Sequence, residues 1–295
     1  MMKKHSKASG IGLERLCTQG WMHSTETEYG VECLEAWFQG HAYQKHRHDT
    51  YAICLTTAGV LGFDYRGNSE ISTPGQVVVL HPDEVHDGYA GTHEGFGYRQ
   101  LYVEPALIFE AIQTISPHSC SLPFVRTPVV INRKLSAAII GAFAGALEPL
   151  AIDSFIVQVA EGLIEADPSC KQVPLPRRLD VTALQRARQY LDTQITQVVH
   201  SSELEAVTGL TRYDLARQFR IMCGTSPYRY LLMRRLDGTR RLLAQDRSLV
   251  EVAIEAGFAD QAHFSRMFKA TFGITPAQYR ALSTSSGISV GSRNL

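Results

Sequence analysis

"TGLTRYDLARQFRIMCGTSPYRYL" (Thr208–Leu231) and "AGFADQAHFSRMFKATFGITPAQYRAL" (Ala256–Leu282) carry one pattern twice. At an offset of 49 residues, Arg217 meets Arg266, Phe219 meets Phe268, Gly224 meets Gly273, Pro227 meets Pro276 and Tyr230 meets Tyr279. Such self-similarity is the mark of a repeated supersecondary unit. Each copy reads as helix, short turn, helix. In the first, Gly209 can adopt the positive φ of a turn and Thr211 can cap the next helix. Leu215, Ala216 and Phe219 then share its apolar face. In the second, Gly257 turns, Asp260 caps, and Phe264 and Phe268 face inward. Gly224 and Gly273 end the two second helices, and Pro227 and Pro276 open the ones that follow.

The spacing leaves Arg212, Tyr213 and Arg217 outward on the first unit, and Gln261, His263 and Arg266 outward on the second. Arginine can bind guanine O6 and N7 in bidentate fashion, and glutamine can read adenine, so these side chains suit a DNA major groove. Two solvated hairpins with solubilising arginines are the alternative; the duplication and the shared stop signals favour DNA.

On these residues the chain resembles the AraC/XylS family of transcription regulators over positions 180–282, with "GFADQAHFSRMFKATFGITPAQYR" (Gly257–Arg280) closest to the family signature. The resemblance implies two subdomains joined by a long helix, Pro227–Ala244, with both recognition helices in successive major-groove segments. It maps base contacts onto Tyr213, Ala216 and Arg217, and onto Ala262, His263 and Arg266. The alanines lack hydrogen-bonding side chains, so the expected readers are Tyr213, Arg217, His263 and Arg266, supported by Arg212 and Gln261. Two residues depart from the pattern. Glu205 replaces a small residue between the helices. Gly238 sits inside the long helix, where it costs roughly 1 kcal/mol relative to alanine.

At 295 residues the chain has room for two domains. Its zero net charge divides unevenly, with −7 over residues 1–174 and +6 over 175–282. Only the basic half is suited to meet phosphates. Six cysteines without C-x-x-C spacing argue against a zinc ribbon or disulfide framework. They predict buried, inert thiols. No apolar run is long enough to span a membrane and no signal peptide is evident, so the expected location is cytoplasmic.

From about Gly30 to Val103 short strands dominate, among them "YAICLTTAGVLGFDYRG" (Tyr51–Gly67), Val77–Leu80 before a Pro-Asp turn, and "GFGYRQLYVEP" (Gly95–Pro105). "HRHDTYAICLTTAG" followed by "PGQVVVLHPDEVHDG" resembles the cupin-like sensor barrel of AraC-type regulators. The resulting expectation is an α+β chain: a cupin-like effector barrel (1–130), a flanking helical hairpin (131–166), a linker (167–178), an all-α double helix-turn-helix domain (179–282) and a disordered tail (283–295). Leu135, Ile139, Phe143, Leu147 and Leu150, then Phe155, Ile156, Val159 and Leu163, supply the hairpin's period. The resemblance implies a homodimer seam there; simple coverage of the barrel is the alternative.

A polar ligand pocket is expected from His46, His48, Tyr51, His81, His86, Tyr98 and Gln100, with Arg99 pointing away by alternation. Cupin enzymes hold a metal with His-x-His, a carboxylate and a later histidine. Here Ala52 and Ile53 stand where the carboxylate belongs, although Asp49 or Glu84 could substitute. The reading is therefore a regulator with a small-molecule effector, no catalytic residue and no metal or other cofactor. Activation, with RNA polymerase as partner, is the commoner case in the family. Its rivals are a cupin-type metal enzyme and a metal-responsive regulator, both using His46, His48 and His86.

Overall fold

The computed structural model describes residues 17–26, 30–115, 121–144, 149–167, 179–245 and 247–285. Nine antiparallel strands form a nearly closed barrel: β1 (Cys17–Glu26), β2 (Val31–His46), β3 (Tyr51–Gly59), β4 (Leu61–Tyr65), β5 (Asn68–Ser72), β6 (Val77–Leu80), β7 (His86–Ala90), β8 (Phe96–Val103) and β9 (Val129–Val130). The strand order is β5-β4-β7-β2-β8-β3-β6-β9, with β1 paired to β2. The long β2 serves both halves. Its first part pairs with β8 (Val31↔Val103 to Phe38↔Phe96) and its last part with β7 (His41↔Tyr89 to His46↔His86).

The two-residue period of a strand sorts the barrel side chains. Leu34, Ala36, Phe38, Ala52, Cys54, Phe63, Phe96 and Tyr98 fill the interior. Val31, Tyr51, Ile53, Leu55, Leu101 and Val103 point out of it, where a helical layer covers them. That layer contains α1 (Pro105–Ile115), α2 (Arg133–Ala142) and α3 (Pro149–Ala166). Asn132 caps α2 by accepting from Leu135 N at 3.0 Å, and Leu135, Ile139, Phe155, Val159 and Leu163 lie buried against the barrel. The two helices pair as the periodicity predicts, and they cover the sheet. Leu147, the linker over 168–178 and the tail beyond residue 285 lie outside the described residues, whereas residues 283–285, expected in the tail, extend the last helix.

β1, α1 and the two-residue β9 escaped the sequence reading. β1 lacks a clean apolar alternation. α1 follows a Pro that looked like a strand end, and it buries two faces at once. Ile108 and Ile112 join the layer over the barrel, whereas Ala106 and Phe109 enter the core of the carboxyl-terminal helices.

Those helices are α4 (Val181–Thr193), α5 (Ser201–Thr208), α6 (Arg212–Cys223), α7 (Pro227–Leu243), α8 (Leu249–Glu255), α9 (Gln261–Phe272) and α10 (Pro276–Ser285). The stop and start signals act as their chemistry requires. Thr211 Oγ1 accepts from Asp214 N (3.2 Å) and Asp260 Oδ1 from His263 N (2.6 Å), each satisfying an otherwise unpaired donor at a helix start. Gly224 (φ 70°) and Gly273 (φ 72°) end α6 and α9 in the left-handed region. Ala216 corrects the apolar-face assignment. It is exposed, and Gln218 is buried in its stead, accepting from Asp180 N at 2.8 Å.

Leu184, Leu204, Leu215, Phe219 and Leu231 pack the first unit together with Phe109. Val252, Phe264, Phe268 and Tyr279 pack the second around Leu232, Met233 and Leu236 of α7, and this core runs on into the barrel interior. Phe264 and Phe268 are fully buried, so truncating either to alanine should cost about 3–5 kcal/mol.

Candidate functional site

Helices α6 and α9 present the candidate nucleic-acid face. Tyr213 is 81% exposed, an unusual position for a large ring without a partner surface. Arg217 is exposed and touches Asp214 at 3.4 Å, a surface pair weak enough to open for another acceptor. Arg212 is also exposed and lies 3.5 Å from Glu205. Glu205, the departure from the family pattern, accepts the backbone N–H of Arg212 at 2.8 Å and so anchors the start of α6. On α9, Gln261 and Arg266 are exposed, whereas His263 is half-buried with its ring edge-on to Phe258 at 5.5 Å. Ala216 and Ala262 face solvent beside these groups.

The second site is a cavity of about 140 Å³ enclosed jointly by the barrel and by α7, α9 and α10. This is the size that holds a benzene-like body. Of the residues expected in a pocket, His46, His48, His86, Tyr98 and Gln100 line it. Tyr51 and His81 do not, which corrects that assignment. Tyr51 lies in phase with Ile53 and Leu55 and donates its hydroxyl to Pro123 O at 2.7 Å, in the outer layer. His81 turns away as well. Its Nε2 accepts from Val125 N (2.9 Å) and its Nδ1 lies 2.7 Å from the Tyr65 hydroxyl. Arg99 points out of the barrel, as alternation predicts, and pairs with Glu35 at 2.7 Å.

His46, His48 and His86 converge, with ring centroids 4.3, 4.8 and 6.2 Å apart. Each sets Nδ1 against a carbonyl oxygen, of Gln44 (2.7 Å), Thr50 (2.9 Å) and Glu84 (3.0 Å). Nδ1 therefore carries the proton in all three. Burial pulls His46 down to about 4 and His48 to about 3, His46 adding to the latter, so both are neutral at ordinary pH. Asp49, a candidate metal carboxylate, is instead 3.3 Å from Arg234, and Glu84 sits 3.8 Å from Arg66. Among the described residues no group of three or more His, Cys, Asp or Glu side chains is arranged to hold a metal ion.

Several cavity residues were not foreseen: Tyr43, Tyr102, Glu32, Arg234, Asp237 and Arg240. Arg240 reaches across to the barrel and donates to Glu32 at 2.6 and 2.5 Å. Burial pushes the Glu32 carboxyl up, but Arg240's charge and the hydrogen bonds from Arg240 and Ser24 outweigh it and hold the group below the ordinary range. Arg234 contacts Glu104 (2.8 Å), Asp49 and Asp237 (both 3.3 Å). Two backbone bonds seal the junction, Gln44 N to Gly273 O (3.2 Å) and Arg47 N to Ala270 O (3.1 Å).

Cys33, Cys54 and Cys223 are buried and unpaired, and burial pushes the Cys33 thiol up to about 12. These three are inert thiols, as expected, and Cys120, Cys170 and the Cys17 side chain lie outside what is described. Among the described residues no helix is long and apolar enough to cross a membrane.

A cavity-bearing barrel joined to a duplicated helix-turn-helix defines a ligand-binding DNA regulator. A model of the AraC-like ligand binding domain matches residues 28–159, and a helix-turn-helix domain model matches residues 204–282. The chain belongs to the AraC family of transcription regulators. It is 27% identical over 254 residues to the transcriptional activator NphR of Rhodococcus sp, covering 80% of this chain and 71% of that one. It is 25% identical over 227 residues to the HTH-type transcriptional regulator YbfI of Bacillus subtilis, covering 75% and 81%. ToxT of Vibrio cholerae, solved with (E)-4-(8-methylnaphthalen-1-yl)but-3-enoic acid, superposes with a TM-score of 0.58 at 11% identity, over 90% of this chain and 98% of that one. NphR and YbfI are regulators, and the chain is a regulator and not an enzyme.

Proposed function

We propose that the cavity is the effector site and that its occupant changes how the helix-turn-helix units are held. The observation that carries this reading is the shared wall: one small molecule in the cavity would touch the barrel and α7 together. An effector shifts the equilibrium only by its difference in affinity between arrangements, and a cavity closed by both parts gives it such a difference. Among the described residues, direct contacts between the two parts include those from β1, β2 and α1 to α6, α7, α9 and α10.

On this proposal Tyr213, Arg217, His263 and Arg266 read bases, with Arg212 and Gln261 in support. The division expected from the sequence supplies the domains: effector barrel 1–130, hairpin 131–166, linker 167–178, DNA-binding domain 179–282 and tail 283–295. Activation is favoured by the likeness to a transcriptional activator, which makes RNA polymerase a partner. Exposed Ile140 and Val157 on the hairpin support a homodimer seam. The cytoplasm is its place of action, because the regulator must meet chromosomal DNA. Selection of bound fragments from the source genome tests the whole. Enrichment of a common sequence is expected, and binding no tighter than to scrambled duplex, with or without added ligands, would overturn it.

A further inference from the structure

The cavity wall is unbalanced in charge. Five carboxylates line it, Glu32, Asp49, Asp87, Glu104 and Asp237, against two guanidinium groups, Arg234 and Arg240. Arg240 is matched by Glu32 alone. Arg234 serves Glu104, Asp49 and Asp237 at once, while Arg188 approaches Glu104 at 3.6 Å from outside and the charge of Arg229 also acts on Asp49. Burial pushes the Asp237 carboxyl up to about 7, with Arg234 opposing the rise and Asp49 adding to it.

Unmet hydrogen-bonding capacity lies in the same cavity. His48 is 7% exposed, its Nδ1 is committed to Thr50 O, and its Nε2 is a buried lone pair with no partner. Thr271, 2% exposed, has its Oγ1 unpartnered as well. A neutral imidazole nitrogen in this state calls for a donor. Arg234 Nε is also unpartnered, but its guanidinium already faces three carboxylates, so an anionic ligand would add to their repulsion. Tyr43, Phe96, Tyr98, Tyr102 and Phe272 supply ring faces, and aromatic faces attract cations.

We infer that the cavity takes a small organic cation, a protonated amine on an apolar or aromatic body, with its charge among Asp49, Glu104 and Asp237 and its body in the barrel. The inference rests on the reading of this cavity as the effector site. It assigns a charge opposite to that of the carboxylic acid held by ToxT.

The test is calorimetric titration of the full chain with 2-phenylethylamine, neutral 2-phenylethanol and anionic 3-phenylpropanoate. Saturable binding of the amine is expected, at least about tenfold tighter than either counterpart, which is about 1.4 kcal/mol. Asp237→Asn should weaken the amine by a similar factor with an unchanged circular dichroism spectrum. Equal or tighter binding of the carboxylate, absence of binding by all three probes, or amine binding indifferent to Asp237→Asn would each overturn the inference. Repeating the titration with a selected genomic fragment separates the two readings. A carboxylate that binds and alters DNA affinity spares the effector site and sinks only the cation. An amine that binds without altering DNA affinity does the reverse.

Discussion

Breaking the Arg240–Glu32 bond should destabilise the chain far more than removing it entirely. Both side chains are largely buried, at 13% and 15% exposure. Arg240 makes two hydrogen bonds to the carboxylate, one to Ser24 Oγ (3.1 Å) and one from Nε to the Tyr279 hydroxyl (3.1 Å), with Phe272 and Tyr279 flanking its charge. In Arg240→Met, Glu32 keeps only Ser24. In Glu32→Met, the guanidinium is left buried without a counter-ion. Either change should cost about 3–5 kcal/mol, the usual penalty for stranding one buried charge. The double methionine variant removes both desolvation penalties and should range from neutral to about 1–4 kcal/mol more stable than wild type if the thioethers pack well. Urea denaturation of the four proteins, followed by tyrosine fluorescence and circular dichroism, gives the coupling energy directly. Single variants costing under about 1 kcal/mol, or a double variant costing the sum of the singles, would refute the view that this junction is dry and tightly coupled.

Arg217→Ala and Arg266→Ala should each lose about 1–3 kcal/mol at one base-pair position and relax specificity there. Competition binding to single-position operator variants checks this, and equal weakening on random duplex would mark them as phosphate contacts. Gly238→Ala should stabilise α7 by about 1 kcal/mol, since a β-carbon there meets nothing within 4 Å; a lowered melting midpoint would contradict it. For His48 the folded form titrates at about 3 against 6.5 unfolded, so the unfolded chain binds the extra proton between those values. The stability it confers is full above pH 6.5 and is lost on acidification. His48→Gln should flatten the pH dependence by up to about 1.4 kcal/mol per unit in that window, and parallel wild-type and variant curves would exclude the assignment.

The carboxyl-terminal half was legible because its signals are local. Caps, left-handed glycines and helix-opening prolines act within a few residues, so Thr211, Asp260, Gly224 and Gly273 could be placed without knowing the fold. Barrel parity was partly legible. Tyr98 and Gln100 follow from alternation along one strand, but Tyr51 and His81 were judged by chemistry, and a one-residue difference in phase puts a side chain on the opposite face. The floor of the cavity was not legible. Arg234, Asp237 and Arg240 recur every third residue on α7, and a charged stripe on a helix ordinarily faces water. Here the stripe faces the acidic mouth of a barrel some 200 residues earlier in the chain. Only the tertiary arrangement shows that.

Gly273 answers to two masters. Its left-handed backbone ends α9, a duty asparagine often shares, yet a β-carbon there would stand 2.9 Å from His46 Nδ1 and 3.0 Å from the Gln44 carbonyl. In a carboxyl-terminal fragment the second demand disappears. Gly273→Asn should therefore be tolerated by the fragment and rejected by the whole chain, which makes Gly273 a place to pry the sensor from the reader.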